Sequence, residues 1–341
     1  MRYQTFGRLT GLRVSEYTLG TANFTTADAD AARSIVDAFV AAGGTTFDTS
    51  NIYRDGEAET LLGEFLRGHR DDFVVVAKYS GTRQAHPRPG TTGNARKIMV
   101  RSLEASLRRL DTDYVDVFMP HFPDGVTPIE EILAGFDDLV RSGKIRHGGL
   151  SNFPAWRVAG AAVRAELRGL APLVGVQTEY SLAERSAERE VLPMAQAHGL
   201  GVLTYSPLAG GLLTGKYRRG EQGRLTARGE PVDDRNSVVD AVLAVADEVG
   251  TSAARVALAW LRRRAAQAAT ALVPIVGPRT PAQLEDYLGS LHLDLDDEHH
   301  RQLDEAGAIR LGTPHEDVAA ALASGADGDR SRLEPPPIPV R

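Results

Sequence analysis

The chain contains no cysteine among its 341 residues. This absence excludes disulfide bonds, thiolate nucleophiles and cysteine-ligated metals together. The sequence also lacks any run of about 18 apolar residues, which a membrane-spanning helix requires, and its first residues lack the apolar core of a secretory signal. We therefore expect a cytoplasmic protein that does not associate with membranes.

Concentrated positive charge is missing as well. The formal net charge is −6 at pH 7, and no run of Lys or Arg stands out. A surface for nucleic acid or for an anionic membrane is therefore not expected. The chain contains 42% hydrophobic residues, 34 Gly and 18 Pro. This composition is typical of a globular protein with many turns.

A cycle of short apolar run, loop and amphipathic segment recurs along the chain. Val100, Leu103, Leu107 and Leu110, for example, return at spacings of three and four, as on one buried face of a helix. Strand and helix alternate eight times, which predicts a (β/α)8 barrel, with a doubly wound sheet plus an appended domain as the alternative. The predicted strands are residues 17–19, 45–48, 73–78, 114–119, 147–150, 173–177, 201–205 and 271–276, and the predicted helices are residues 28–42, 57–67, 95–110, 129–142, 154–167, 188–197, 252–264 and 281–291.

Several segments lie outside this cycle. Residues 2–18 hold two short β-like runs around a glycine turn, which predicts a hairpin before the barrel. Residues 210–234 are rich in Gly and Arg and predict a long loop, followed by an extra helix at 236–248 between strand 7 and helix 7. We expect a single domain over residues 1–341, with the hairpin at 1–18, the barrel at 19–291, and a helix at 296–307, a loop and a Pro-rich tail within 292–341.

Four ionisable side chains fall at the ends of predicted strands or in the loops that follow. Asp48 ends the second strand, and Tyr53 lies on the loop after it. Lys78 ends the third strand, and His121 follows the fourth. Each alone has an ordinary structural explanation, such as a turn cap, a rim charge or a packing aromatic. Because the carboxyl ends of barrel strands meet at one opening, their joint placement predicts a catalytic site.

The chemistry of these groups assigns them roles. A phenol with an ordinary pKa of about 10 is a weak acid at neutral pH, but a neighbouring cation lowers that pKa. At about 4 Å and an effective dielectric near 20 the attraction is roughly 4 kcal/mol, so we expect Lys78 to lower the pKa of Tyr53. Asp48 would hold Lys78 as its ion-pair partner. His121 would donate a hydrogen bond to a substrate carbonyl oxygen, which Tyr53 would protonate.

A series of motifs along the chain is specific when its members are taken together. They are GTANF at 20–24, FDTSNIYRDGEAE at 47–59, the strand that ends at Lys78, SLEASLRRLDTDYVDVF at 102–118, GGLSNF at 148–153, QTEYSL at 177–182, YSPLAGGLLTGKY at 205–217 and PIVGPRTPAQLED at 274–286. With them the chain closely resembles the aldo-keto reductase superfamily over nearly all of residues 2–315, in the style of the bacterial branch related to potassium-channel β subunits. The resemblance implies a (β/α)8 barrel that reduces a small-molecule carbonyl with NADPH and needs no metal. It makes Tyr53 the proton donor, with Asp48, Lys78 and His121 completing a catalytic tetrad.

The resemblance also implies which residues hold NADPH. Some would bind the nicotinamide, others the pyrophosphate, and those near residue 280 the adenosine end. Arg279 suits a ribose phosphate because guanidinium binds phosphate through a planar fork, which favours NADPH over NADH. The carboxamide residues would be Ser151, Asn152 and Gln177, the stacking aromatic Tyr205, the pyrophosphate set Ser206, Pro207, Leu208, Ala209, Gly210 and Lys216, and the adenosine set Gly277, Arg279, Gln283 and Asp286, with Gly20, Thr21, Ala22 and Asp48 completing the predicted cofactor site.

Two features of the predicted cofactor site depend on this chain in particular. Tyr287 stands where the family usually has Asn, so it cannot repeat the paired contacts of an amide to adenine, and we expect it to stack instead. Arg218, Arg219 and Arg224 in the long loop could add to the phosphate site, although arginines in loops are more often simply solvated.

The substrate is less well determined by the sequence. The loop at 80–93 is polar and carries Arg83, His86 and Arg88, which indicates a polar or hydroxylated substrate. Only four lysines stand beside many arginines, a bias typical of GC-rich genomes such as those of actinobacteria. A natural-product or sugar carbonyl is therefore a hypothesis. The reaction direction and the oligomeric state stay open.

Two other functions remain open from the sequence. One is a barrel that binds NADPH and regulates a partner while turning over little substrate, since the resemblance extends to channel β subunits. A Schiff-base lyase or aldolase that uses Lys78 is the other.

Overall fold

The computed structural model describes residues 1–88, 90–232, 236–325, 328, 331 and 334. Two short antiparallel strands, β1 (Tyr3–Thr5) and β2 (Arg13–Ser15), form the predicted N-terminal hairpin. Eight parallel strands then close a barrel in which β10 pairs with both β9 and β3. The (β/α)8 prediction is confirmed, and the doubly wound alternative is wrong. The barrel strands are β3 (Thr18–Gly20), β4 (Thr46–Asp48), β5 (Val74–Tyr79), β6 (Val115–Pro120), β7 (Ile145–Ser151), β8 (Leu173–Glu179), β9 (Gly201–Tyr205) and β10 (Leu272–Val276).

The barrel interior is a packed apolar core. Strands β5 and β6 are buried along their whole length, which explains why both are near-continuous apolar runs in the sequence. Phe6 and Val14 of the hairpin region join the core inside the barrel. A Cβ on Gly175 or Gly201 would lie within 2.5 Å of the Phe6 ring, so these glycines leave the room that the ring fills. The hairpin therefore closes one end of the barrel, and the opposite end stays open.

Helices surround the barrel and cover the outer faces of its strands. In the fourth helix, for example, Ile132, Phe136 and Leu139 are buried at helical spacing, as an amphipathic helix requires. None of the helices in the described part of the chain has the length and apolar character needed to cross a bilayer. The helices are α1 (Ala29–Ala41), α2 (Glu57–Leu66), α3 (Arg96–Leu110), α4 (Ile129–Arg141), α5 (Ala155–Leu167), α6 (Val191–His198), α7 (Arg224–Ala227), α8 (Asn236–Val249), α9 (Ala253–Gln267), α10 (Pro281–Gly289), α11 (Asp297–Ala306) and α12 (His315–Ala323).

The segment predicted as a plain loop at 210–234 differs from that expectation. Within its described part the chain forms 3-10 turns at Ala209–Thr214 and Lys216–Arg219 and the short helix α7. The hydroxyl of Tyr217 donates to the carbonyl of Gly210 at 2.8 Å and accepts from the backbone N–H of Leu225 at 3.0 Å. Such contacts stabilise these turns. The segment has no apolar periodicity, so the sequence pattern could not predict the turns. Residues 233 and 234 lie outside the described residues.

The C-terminal region also holds one helix more than predicted. The extra helix α8 and the terminal helix α11 are confirmed, but α12 lies where a loop was expected. No residue of α12 is buried, so the helix presents no apolar stripe for a pattern to reveal, and it relies on the helix propensity of its alanines. Most of the predicted Pro-rich tail lies outside the described residues.

Candidate active site

The four predicted catalytic side chains meet at the open end of the barrel. Asp48 is the last residue of β4, Lys78 lies near the end of β5, and His121 directly follows β6. The ammonium Nζ of Lys78 lies 2.5 Å from Oδ1 of Asp48 and 5.1 Å from the centre of the Tyr53 ring. The rings of Tyr53 and His121 meet edge to face, with centres 5.9 Å apart. Neighbouring parallel strands therefore bring residues distant in the sequence into one cluster.

The turn after β4 lifts Tyr53 over Lys78. The backbone N–H of Asn51 donates to the carbonyl of Lys78 at 3.2 Å, and that of Tyr53 donates to the carbonyl of Ser50 at 3.0 Å. A 3-10 turn begins at Tyr53 and passes through left-handed backbone at Arg54, with φ of 52°. A non-glycine residue in that region is strained, and such strain often occurs where a side chain is held for function.

The Lys78 ammonium is completely buried, with 0% of its side chain exposed. Burial lowers the pKa of Lys78, but Asp48 and Tyr53 together outweigh it, so the pKa is raised above its ordinary value. Asp48 also accepts a hydrogen bond of 2.7 Å from Nε2 of Gln177, which fixes the carboxylate. Lys78 is therefore protonated at neutral pH. A protonated amine is no nucleophile, which argues against the Schiff-base alternative.

The expected direction of the Tyr53 shift is wrong. Burial raises the pKa of the Tyr53 phenol by more than Lys78 lowers it, and Asp48 raises it further. Lys78 does lower the pKa of Tyr53, as expected, but burial outweighs it, and the depth of burial cannot be read from the sequence. The phenol consequently stays protonated at neutral pH and carries a proton that it can donate.

His121 is neutral at physiological pH. Burial, followed by repulsion from Lys78, lowers the pKa of His121 to about 3. Its Nδ1 lies 3.1 Å from the hydroxyl oxygen of Ser50. A neutral imidazole carries a proton on only one of its two nitrogens. The hydrogen bond at one nitrogen determines whether the other nitrogen is protonated. The direction of the hydrogen bond between Ser50 and Nδ1 therefore determines whether Nε2 of His121 is a donor.

A cavity of about 690 Å³ opens above these residues, a size typical of small-molecule sites. Tyr53 and His121 line it, whereas Lys78 lies beneath its surface. Three predicted cofactor residues, Thr21, Ser151 and Ala209, are not part of the lining, and the hydroxyl of Thr21 is bonded to the Asp48 carbonyl at 3.0 Å. The other predicted cofactor residues line the cavity, namely Gly20, Ala22, Asp48, Asn152, Gln177, Tyr205, Ser206, Pro207, Leu208, Gly210, Lys216, Gly277, Arg279, Gln283 and Asp286.

Asn152 connects the catalytic cluster to Tyr205. Its side-chain amide donates to the carbonyl of His121 at 2.9 Å, and its oxygen accepts from the Tyr205 hydroxyl at 2.9 Å. The φ of Asn152 is 61°, a left-handed conformation that asparagine tolerates better than most residues. The Tyr205 ring is thus held at a fixed place in the cavity wall.

The far end of the cavity is rich in positive charge. Arg219 is engaged by Glu221 at 2.6 Å, whereas Lys216 and Arg279 make no ion pair with any carboxylate that the structure describes. Burial and repulsion from Arg279 lower the pKa of Lys216, so the two cations lie close to one another. The backbone N–H of Arg279 donates to Oε1 of Gln283 at 2.8 Å. Two neighbouring cations that have no ion-pair partner among the described residues suit a polyanionic ligand.

Neighbouring residues already engage Asp286. Its carboxylate accepts from the Ser252 hydroxyl at 2.8 and 2.9 Å and pairs with Nε of Arg255 at 2.9 Å. The adjacent Tyr287 lines the cavity, and burial raises the pKa of its phenol to about 12. Ser252 caps helix α9 and Arg255 lies in its first turn, and no sequence pattern links either residue to Asp286.

Several residues of the site were not found from the sequence. Ser50, 71 positions from His121, has no motif that links it to the histidine. Ile52 and Phe122 line the cavity beside Tyr53 and His121. In contrast, the cavity lining as described contains none of the polar residues expected from the loop at 80–93, namely Arg83, His86 and Arg88. Arg83 instead faces Asp55 at 3.6 Å.

Comparison with known proteins gives matches to one family and to several oxidoreductases. A profile of the aldo/keto reductase family matches residues 17–308. The chain is 39% identical over 316 residues to the uncharacterized oxidoreductase YrpG of Bacillus subtilis (strain 168), covering 89% of this chain and 95% of that protein. It is 32% identical to an NADP(+) aryl-alcohol dehydrogenase of Phanerodontia chrysosporium, covering 85% and 79%. It is 36% identical to a probable voltage-gated potassium channel subunit beta of Oryza sativa subsp. japonica, covering 76% and 83%.

Proposed function

This chain belongs to the aldo/keto reductase family, and from that premise we propose that it reduces an aldehyde or ketone to an alcohol with NADPH, using Tyr53 as the proton donor. The observation that carries the proposal is the buried ion pair of Lys78 and Asp48 beneath the Tyr53 ring. A buried charge pair is costly to build, so its position directly under a phenol at the mouth of a cavity points to use in proton transfer.

The residues of the cavity fit a dinucleotide phosphate. A Cβ on Gly277 would meet only Asn23 Nδ2, at 3.8 Å, so glycine there keeps the cavity floor open. A Cβ on Gly211 would lie 2.6 Å from Cε of Lys216, so glycine there lets the lysine fold over the backbone. Lys216 and Arg279 would hold the phosphates, and Tyr205 would support the nicotinamide. When bound, NADPH supplies the hydride that the reduction requires.

Each catalytic residue has one task in this proposal. The neutral His121 donates a hydrogen bond that places the substrate carbonyl oxygen beside Tyr53. The Tyr53 phenol gives its proton to that oxygen as negative charge develops there. The Lys78 ammonium stabilises the phenolate that remains, and Asp48 holds the ammonium in position. The high pKa of the free phenol is consistent with this order, because the proton leaves only when the oxygen becomes basic.

The proposal is tested by following NADPH absorbance with a panel of aromatic and aliphatic aldehydes. We expect turnover in the wild type and a loss of about 100-fold or more in Tyr53→Phe, the usual contribution of a positioned general acid. Tyr114→Phe is the matched control, since Tyr114 precedes β6 at the opposite end of the barrel and bonds Asp71. Full activity of Tyr53→Phe, or no oxidation of NADPH by any carbonyl, would refute the proposal.

A second candidate is a subunit that binds NADPH and regulates a partner with little turnover. The similarity to the probable potassium channel β subunit favours it. A single-turnover experiment, in which enzyme with bound NADPH is mixed with aldehyde, separates the two. Rapid oxidation of the bound cofactor supports the enzyme, and stable NADPH with tight binding supports the regulatory subunit.

A further inference from the structure

The turn that carries Tyr53 has a strained backbone. Arg54 and Asp55 have φ of 52° and 55°, and Gly56, the last residue of this 3-10 turn, has φ of 98°. Three successive residues are therefore left-handed, and two of them carry a side chain. Such a conformation persists only where the surrounding structure fixes it. Because this turn places the phenol over Lys78, the groups that hold the turn also determine where the proposed proton donor lies.

A buried ion pair lies against the far end of this turn. Glu59, in the first turn of α2, has a completely buried side chain, and its Oε2 lies 2.6 Å from both Nε and Nη2 of Arg109. A Cβ on Gly56 would lie 2.7 Å from Cδ and 2.8 Å from Nε of Arg109. The arginine side chain therefore rests on the backbone of Gly56, and this one residue contacts both the Tyr53 turn and α2.

Helix α3, which carries Arg109, is itself fixed against α2. A Cβ on Gly63 of α2 would lie 2.5 Å from the carbonyl oxygen of Leu110, the residue that follows Arg109. The two helix backbones are thus in contact one turn from Glu59, so Arg109 starts from a fixed position. Nη2 of its guanidinium also lies 3.4 Å from the hydroxyl oxygen of Ser106. Because the guanidinium is planar and rigid, it fixes the distance between α3 and the turn more closely than a lysine ammonium would.

The pair of Glu59 and Arg109 is explained neither by stability nor by contact with a ligand. A buried ion pair is often no more stabilising than apolar side chains of similar volume. Neither residue is part of the cavity lining as described. We propose that Arg109 and Glu59 are positioning residues, which hold the turn from Tyr53 to Gly56 so that the phenol lies over the Lys78 ammonium. The inference rests on the proposed reductase function. Its physical basis is that a strained turn without support at one end relaxes, which would move Tyr53 away from Lys78.

The kinetic test compares Arg109→Ala with Arg108→Ala, the matched control, because Arg108 is the preceding residue of α3 and is exposed. We expect Arg109→Ala to lower kcat by about 10- to 100-fold, the size expected for a lost charge-assisted hydrogen bond. The KM for aldehyde and the dissociation constant of NADPH should change less than about threefold, since neither ligand is contacted. Free guanidinium should restore part of the kcat of Arg109→Ala, and Arg109→Lys should stay impaired because it lacks the fork. Unchanged kcat in Arg109→Ala, or an equal loss in the control, would overturn the inference.

A double variant separates positioning from folding. Glu59→Leu combined with Arg109→Met replaces the buried pair with apolar groups, so we expect an unfolding free energy close to that of the wild type. The kcat should nevertheless stay reduced by about 10-fold or more, because the rigid contact to Gly56 is missing. Full kcat in the stable double variant would show that the pair serves folding only.

Titration of the Tyr53 phenol reports its position directly. Ultraviolet absorbance is followed against pH, as the difference between each protein and its Tyr53→Phe counterpart. Burial raises the pKa of Tyr53 in the wild type, so a displaced and more exposed ring in the double variant should titrate at lower pH. An identical titration in both proteins would overturn the inference. The measurement needs no turnover, so it tests the positioning role even if the wild type reduces no carbonyl, a result that would refute the reductase function alone.

Discussion

The hydroxyl oxygen of Ser50 lies 3.1 Å from Nδ1 of His121, on the side of the imidazole that meets the turn after β4. The same hydroxyl lies 3.4 Å from Oδ1 of Asn51, so its one proton goes either to Asn51 or to Nδ1 of His121. When Ser50 donates to Nδ1 of the neutral His121, the N–H is on Nε2, the donor that a substrate carbonyl needs. Ser50 would thus act as a positioning residue for His121.

Replacing Ser50 with alanine should therefore slow reduction without abolishing it. We expect kcat/KM to fall by about 10-fold, since one neutral hydrogen bond contributes on the order of 1 kcal/mol. Ser50→Thr, which keeps the hydroxyl, should retain most of the activity. Nitrogen chemical shifts of His121 should show a mixture of tautomers in Ser50→Ala and one tautomer in the wild type. Unchanged nitrogen chemical shifts of His121 together with full activity would show that Ser50 does not position His121.

The pH dependence of the reduction should be flat across neutral pH. His121 has a pKa of about 3 and stays uncharged above it. The pKa of Tyr53 is raised, so the donor remains protonated until the pH exceeds the ordinary phenol value of about 10. We expect kcat/KM at saturating cofactor to be constant from about pH 5 to about pH 9 and to fall at higher pH. An inflection near pH 6.5 would show that His121 titrates and would contradict the burial argument.

Asp48 and Lys78 should prove strongly coupled in stability. Asp48→Asn leaves the buried ammonium without its counterion, which typically costs about 3 to 5 kcal/mol of unfolding free energy. Lys78→Met in the same chain removes that charge, so the double variant should lose much less than the sum of the two single variants. Urea unfolding followed by circular dichroism gives the three values. Additive losses would mean that the pair contributes no interaction of its own.

Cofactor choice should depend on Arg279. The guanidinium makes no ion pair within the described chain and lies near Lys216 in the cavity. We expect Arg279→Gln to weaken NADPH binding by about 10- to 100-fold, through loss of a charge-assisted contact to the ribose phosphate. NADH lacks that phosphate and serves as the internal control, so its affinity should stay nearly constant. Equal weakening of NADPH and NADH binding would show that Arg279 contacts a part of the cofactor that both molecules share.

The convergence of the proposed catalytic residues could be predicted because it depends on strand order. Once strand and helix alternate eight times, the strand ends must meet, and Asp48, Lys78 and His121 follow from their places in the chain. The cofactor residues were predicted differently, from the family resemblance that the motifs carry. The cavity contains most of them, although Thr21, Ser151 and Ala209 lie outside its lining.

What could not be predicted depends on enclosure and on contacts between distant loops. The raised pKa of Tyr53 results from the depth of its burial, which no spacing encodes. Helix α12 buries no residue and so leaves no periodic signal.

The sequence by itself thus predicted the barrel and the convergence of Asp48, Lys78 and His121, because apolar periodicity and chain order place strand ends together. The family was predicted from the resemblance that the motifs carry. Only the tertiary structure decided which hydroxyl lies beside His121 and whether burial or attraction controls the pKa of the Tyr53 phenol. These outcomes depend on distances between atoms far apart in the chain, and electrostatic energy changes with each of those distances.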